Sequence, residues 1–380
     1  MFDYLIVGAG LAGTVMAERL SKHGDKILLI DKRPHIGGNC YDIRDQNNIL
    51  IHKYGPHLFH TNNEEVWKYL SQFTEWETYQ HHVLAFVDGK NISLPFNFNT
   101  LYEAFPAIMA KLLEKKLLAT YPLGSKIPIL ELKQSDDEDL QRLADYVYNK
   151  IFVNYTAKQW GLKPEEMDSA VTARVPILLD RDNRYFTDIY QAVPKYGYTK
   201  LFESLLAHPN IEIMLQTDFK EVGSIAEQEI YLFGEKFSGK VIYTGQIDEL
   251  FDCKFGELPY RSVKMDFELV NQIHYQKVAT INYPNDHTFT RITEFKHIHP
   301  IECDTTTILK EYPEKYIQGK NTPYYPIFTN ENQKLYAKYV EYSKNYPNLT
   351  LLGRLAEYMY YDMDDIVEKA LQLSSILIKE

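Results

Sequence analysis

Four residues have the types and spacing needed to hold a phosphorylated nucleotide. Gly8, Gly10 and Gly13 follow the apolar run Tyr4-Leu5-Ile6-Val7 and lead into a helical pattern over residues 14–22. In such a strand–turn–helix unit the first glycine permits the tight turn. The second lets the backbone approach a pyrophosphate, and the third lets helix and strand pack closely. The N-terminus of the helix then faces the phosphates. Asp31 ends the second apolar strand, about 20 residues on, where a carboxylate accepts a ribose hydroxyl. By themselves these positions leave NAD and FAD open. Other chemistry is sparse. Cys40, Cys253 and Cys303 are far apart and odd in number, which suggests no disulfide framework and fits a reducing cytosol. His57 and His60 have no cysteine or carboxylate at zinc spacing, so no metal is expected. No Ser-His-Asp or Cys-His arrangement presents a nucleophile. The 30 tyrosines and 19 phenylalanines suit stacking on sugars and bases, although each also makes a good core residue.

The elements that must position these residues can be read from the pattern of the chain. At 380 residues, two or three domains are expected, and 45% hydrophobic with 24% charged residues is an ordinary globular mixture. The formal charge is −11, from 41 basic and 52 acidic residues, with no basic block. Nucleic-acid binding is therefore disfavoured, and an anionic ligand would need a few placed arginines. No apolar run approaches the ~18 residues of a membrane span, and Met1-Phe2-Asp3-Tyr4 lacks a basic leader, so a cytoplasmic protein is expected. After the first βαβ unit, a capped helix starts at Asn62-Asn63-Glu64-Glu65. Two strand-like runs over 78–98 flank the turn signal Asp88-Gly89. Helical periodicity covers 105–118 and 136–152, the latter opening on an acidic run that suits a helix N-terminus. Strands resume near 183, with a helix over 197–206 and a strand over 211–215. Residues 263–269, 278–282 and 288–295 read as strands of an antiparallel sheet. The end returns to α/β, with a strand over 349–352 and an amphipathic helix over 364–376.

A second glycine pair decides between the cofactors. Gly37-Gly38 just after the second strand, with Ala17, Leu20, Gly24 and Ile27, resembles the extended fingerprint of glutathione-reductase-type flavoproteins, which favours FAD. Gly353-Arg354 after a strand and Asp362-Met363-Asp364 before a helix support this. In such flavoproteins a C-terminal strand and helix N-terminus close over the flavin, where free N–H groups favour a negative reduced ring.

The segments 37–42, 54–62, 152–160, 171–176, 183–186, 243–245, 289–291, 294–297, 324–327, 353–358 and 360–364 together resemble the bacterial UDP-galactopyranose mutases, in order along nearly the whole chain. The resemblance implies FAD, active when reduced, and isomerisation of UDP-galactopyranose to UDP-galactofuranose without net redox change. In that family the flavin N5 attacks the anomeric carbon and displaces UDP. The ring opens as a flavin iminium and recloses through another hydroxyl. The implied catalytic residues are Arg174, Arg291 and His60, with the two arginines on the diphosphate. Phe152, Tyr155, Thr156, Trp160 and Asn282 are implied on the uridine side. Tyr185, Tyr325, Tyr360 and Asp362 are implied around the diphosphate and sugar. Gly8, Gly10, Leu11, Ala12, Gly13, Asp31, Lys32, Gly38 and Asn39 match one part of the cofactor site. His57, Leu58, His60, Phe219, Arg354, Tyr361, Asp362, Met363 and Ile366 match the rest.

The fold this implies is α/β, a Rossmann-like FAD-binding domain with a helical-bundle insertion and an antiparallel sheet domain. The cofactor domain takes residues 1–77, 197–255 and 321–380. The sheet domain takes 78–98, 183–196 and 256–320. A helical insertion with a mobile lid takes 99–182. A reductant such as NAD(P)H and a homo-oligomer are further expectations from the resemblance. Two departures stand out: Gln246 where proline is expected, and Asp31 in place of the commoner glutamate. Two rival readings are a flavin oxidase of the amine-oxidase type and a silent nucleotide-sugar-binding protein that keeps FAD for structure.

Overall fold

The computed structural model describes residues 2–161 and 176–379, with the backbone alone at Trp160. At its centre is a five-stranded sheet in which every neighbouring pair runs parallel. Its order is Ile211–Met214, Ile27–Ile30, Tyr4–Val7, Lys240–Tyr243 and Leu349–Leu351, so strands from both ends of the chain share it. The three inner strands are apolar runs, apart from Lys240 at the start of one, because parallel sheets are covered on both faces. Tyr4, Ile6, Ile27, Leu29 and Ile242 face the helices Leu11–His23, Tyr198–Leu205 and Met363–Leu377. The alternate residues, Leu5, Leu28, Ile30, Val241 and Tyr243, pack on the other side. There they meet the helix Asn330–Ser343 and a small sheet led by Glu229–Leu232. Gly24 ends the first helix at φ 118°, and its N–H donates to the carbonyls of Leu20 and Ser21.

A seven-stranded sheet stands beside this domain, in the order Tyr325–Pro326, Tyr260–Val270, Thr306–Lys315, Arg291–Glu294, Thr280–Asn282, Val83–Val87, Lys90–Leu94. It is antiparallel except between Thr280–Asn282 and Val83–Val87, which run parallel. The antiparallel sheet expected from sequence is present, with this one parallel pair within it. Those two strands come from distant parts of the chain, so no hairpin sets their relative direction. The hairpin Val83–Leu94 turns at Asp88 and Gly89, with φ of 49° and 77°, the positive pair that a two-residue hairpin favours.

The helical insertion packs on this hairpin. Leu101, Leu113, Leu117, Leu140, Leu143 and Val147 form its core against Val83, Ala85 and Ile92. The helix expected over 136–152 is regular only as Glu138–Val147, and its pitch widens to a π-helical turn over Tyr148–Val153 before Asn154–Trp160. Asp137 caps it, its carboxylate accepting from the N–H groups of Asp139 and Leu140. Among the described residues no helix is long and apolar enough to cross a membrane.

Candidate active site

A cleft of about 1190 Å³ opens between the parallel sheet and the seven-stranded sheet. Its nucleotide end is built from two glycine turns. Gly8 stands at φ 108°, and a Cβ there would lie 2.0 Å from Thr244 Oγ1. A Cβ on Gly38, at φ 55°, would lie 2.8 Å from the Cα of Gly10, so the turns meet backbone to backbone. Gly13 does not line the cleft; a Cβ there would sit 2.0 Å from the Gly8 carbonyl oxygen, so its part is to let helix and strand close up. Gly10, Leu11 and Ala12 line the cleft at the start of the helix Leu11–His23. The first-turn N–H groups of that helix have no intrahelical acceptor. Asp31 also lines the cleft. Its Oδ2 accepts the Ala9 N–H at 2.7 Å and its Oδ1 the Arg33 N–H at 2.8 Å. A carboxylate has about four acceptor sites, which leaves capacity for a ribose hydroxyl.

The remaining cofactor candidates surround these turns. Lys32 pairs with Glu249 at 3.4 Å, and Asn39 Oδ1 accepts from Arg33 Nη2 at 3.0 Å. Phe219, Leu58, Tyr361, Met363 and Ile366 line the walls. Arg354 follows Gly353, which stands at φ 102°, and its guanidinium lies 5.5 Å from the Tyr325 ring centre. Asp362 is the N-cap residue of the helix Met363–Leu377, and its N–H donates to Asp365 Oδ2 at 3.0 Å. Two helix N-termini therefore open on one cleft, beside a backbone cradle that admits no side chain. These features fit an extended dinucleotide such as FAD.

The other end of the cleft gathers histidines, tyrosines and Arg291. Arg291 and Asn282 face each other directly across neighbouring strands, and both line the cleft. Arg291 Nε donates to Glu311 Oε1 at 2.6 Å. Burial would lower the guanidinium pKa, but the adjoining Glu311 carboxylate carries it upward, so Arg291 keeps its charge. Tyr155, Tyr185, Tyr325 and Tyr360 line the same end, and Tyr325 stacks on Tyr360 with ring centres 6.3 Å apart. Burial raises the hydroxyl pKa of Tyr155, Tyr185 and Tyr360, so these stay protonated donors. His60 Nδ1 lies 3.0 Å from Asp188 Oδ2, and its ring stacks on Phe186 at 3.7 Å. A carboxylate can only accept, so the His60 proton is held on Nδ1. His57 Nδ1 lies 2.8 Å from the Gly55 carbonyl oxygen, and burial lowers its pKa to about 4. His57 is thus neutral near pH 7.

Not every candidate reaches this cleft. Phe152 packs in the core of the helical insertion, and Thr156 is buried; neither is among the residues lining the cleft. Trp160 ends the helix Asn154–Trp160, and Arg174 lies outside the described residues.

The structure also adds residues that the sequence did not single out. Glu311 lies on the strand Thr306–Lys315, in a stretch that reads as an insertion without functional signal. Only its register opposite Arg291 reveals it. Asp188 follows the Asn183–Phe186 segment by two residues, close enough to have been a candidate. His81 lines the cleft just ahead of the hairpin, with its Nδ1 3.1 Å from the Tyr79 hydroxyl. Burial, with Arg291 nearby, lowers it to about 3. Gln246 is buried, and its Oε1 accepts from the Tyr316 hydroxyl at 3.0 Å, a bond no proline would make.

Comparison with known proteins agrees with this geometry. A family model described as UDP-galactopyranose mutase matches residues 150–360, and an NAD(P)-binding Rossmann-like domain model matches residues 6–73. A probable UDP-galactopyranose mutase from Klebsiella pneumoniae is 35% identical over 386 residues, covering 100% of this chain and 96% of that protein. A dTDP-fucopyranose mutase from Escherichia coli is 33% identical, covering 100% and 99%. A crystal structure of reduced UDP-galactopyranose mutase superposes with a TM-score of 0.75 at 17% identity, covering 100% of this chain and 96% of that one.

Proposed function

From the premise that the chain belongs to the UDP-galactopyranose mutase family, we propose that it interconverts UDP-galactopyranose and UDP-galactofuranose with bound FAD in its reduced state. The observation that carries this reading is the pairing of Arg291 with Asn282 across one ladder. It puts a fixed cation and an amide on the wall of the cleft that also holds the two-glycine cradle. An oxidase acting on an uncharged amine would have no use for that cation.

FAD held by the glycine cradle and reduced would supply the nucleophile for the anomeric carbon. The chain's own residues do the rest. Arg291, held in orientation by Glu311, pairs with the diphosphate as it leaves and returns as an anion. Tyr155, Tyr185 and Tyr360 remain protonated, and with Tyr325 they donate to diphosphate and sugar oxygens. His60, with its proton held on Nδ1 by Asp188, offers Nε2 as an acceptor toward the sugar and flavin. Asn282 reads the edge of the uracil. Arg174 takes the diphosphate and Trp160 the uridine. A donor such as NAD(P)H would reduce the bound FAD by hydride transfer and leave as NAD(P)+, and the working protein is a homo-oligomer.

The E. coli relative carries a different nucleotide sugar in its name, so the test offers both. The protein, loaded with FAD and reduced without oxygen, is given UDP-galactofuranose or dTDP-fucofuranose, and products are separated by chromatography. Turnover of the UDP-galactose pair at higher kcat/KM supports the reading. Preference for the dTDP-fucose pair would replace the substrate, and no turnover of either would remove the mutase assignment.

A further inference from the structure

Glu294 lies three residues along the same strand from Arg291, and an odd separation in a strand turns it to the opposite face, away from the cleft. There its carboxylate is fully buried. Oε1 accepts from the Tyr275 N–H at 3.0 Å and the Thr306 hydroxyl at 2.8 Å, and Oε2 accepts from the Gln276 N–H at 2.9 Å. Lys296, two residues further along, directs its Nζ to the carbonyl oxygens of Ile273, Cys303 and Thr305. Two imidazoles meet the carboxylate instead. His274 Nδ1 is 3.3 Å from Oε1 and His297 Nε2 is 3.2 Å from Oε2. The two rings stack with centres 4.7 Å apart, and one donor atom from each of the three residues falls within 4.8 Å of the others.

We propose that His274, Glu294 and His297 form a binding site for a divalent transition-metal ion, of which zinc is the best-fitting class. Two imidazole nitrogens and one carboxylate oxygen are the donors that zinc takes. Bonds of about 2.0–2.1 Å in a tetrahedral array put neighbouring donors about 3.3 Å apart. Each imidazole nitrogen stands near that distance from one of the two carboxylate oxygens, so an ion between the rings would draw on both oxygens or turn the carboxylate to present one. The backbone N–H groups of Tyr275 and Gln276 hold the carboxylate in place, the orienting role that outer hydrogen bonds play around metals. The His274 side chain is 48% exposed, so the ion has a path from solvent and water can complete the shell. Binding requires His297 to release the Nε2 proton it shares with the Gln276 carbonyl at 2.9 Å. The positive charge of the ion would compensate a buried anion that, among the described residues, meets hydrogen-bond donors and imidazoles.

The test uses the untagged, FAD-loaded protein after chelation and dialysis. It is titrated with Zn²⁺ by calorimetry and with Co²⁺ by visible absorption. One equivalent should bind, with the intense visible bands of tetrahedral Co²⁺. His274→Ala, in an exposed loop, should weaken binding at least about tenfold, the scale lost with even an outer partner of a metal site. His297→Gln should do the same. The flavin spectrum reports that each variant is folded, and neither readout depends on mutase turnover. Substoichiometric binding in the wild type, or binding unchanged in His274→Ala, would overturn the site.

Discussion

At the scale of single residues, the account turns on how a buried guanidinium is kept charged and aimed. Glu311 does this for Arg291 through one bond of 2.6 Å. Glu311→Gln should therefore lower kcat about 10²-fold, the effect of misplacing one preorganised donor, while flavin content stays unchanged. Steady-state kinetics beside the flavin absorbance checks this; a loss confined to KM would mean that Arg291 only binds. Arg291 was legible from its motif, but Glu311 was not. Its signal is a strand register, and register between Arg291–Glu294 and Thr306–Lys315 is set by the whole sheet rather than by local sequence. The same holds for Asp188, which is next to a recognisable segment but whose role appears only when it meets His60.

At the scale of elements, the glycine turns were the most legible part of the chain. Their spacing reflects a steric demand that no other residue type meets, so it is written in the local sequence. Gly38→Val would drive a Cβ to 2.8 Å from the Gly10 backbone at a positive φ. The protein should fold yet retain at most about a tenth of its flavin after gel filtration, given a local cost of about 1–3 kcal/mol at the cradle. Full flavin occupancy would contradict the assignment of this cradle. Elements set by distant pairing were harder to read. The parallel contact of Thr280–Asn282 with Val83–Val87 and the π-helical turn at Tyr148–Val153 leave no period in the sequence. The hairpin at Asp88-Gly89 and the helix Met363–Leu377 do leave one, and both stand close to where the sequence puts them.

At the scale of the whole molecule, the fold buries titratable groups as well as apolar ones, and its stability should record this. Burial lowers His57 and His299 to about 4 and His81 to about 3. In the unfolded chain these groups protonate near 6.5. Below pH 6.5 the unfolded state therefore binds more protons, and stability must fall as pH drops from about 6.5 through 4 and on toward 3. Glu294 adds little in that window. Burial pushes it up, but bonds from His297, Gln276, Thr306 and Tyr275 bring it to about 2, so its contribution is lost only as pH falls further. Each histidine contributes up to about 1.4 kcal/mol per pH unit inside the window. Unfolding free energies at several pH values should show this slope, and His81→Gln should flatten it; an unchanged slope would place the proton uptake elsewhere.

The cleft lies between two sheets of different make-up. One wall belongs to a sheet shared by both chain ends, and the other to a sheet interrupted by the helical insertion. The central claim is that this cleft uses a flavin without net redox change. The most direct test is turnover of UDP-galactofuranose by one anaerobic preparation, half left oxidised and half chemically reduced. The account predicts UDP-galactopyranose from the reduced half alone, with the flavin still reduced when the reaction ends. Equal conversion in both halves, or flavin reoxidised in step with product, would contradict it.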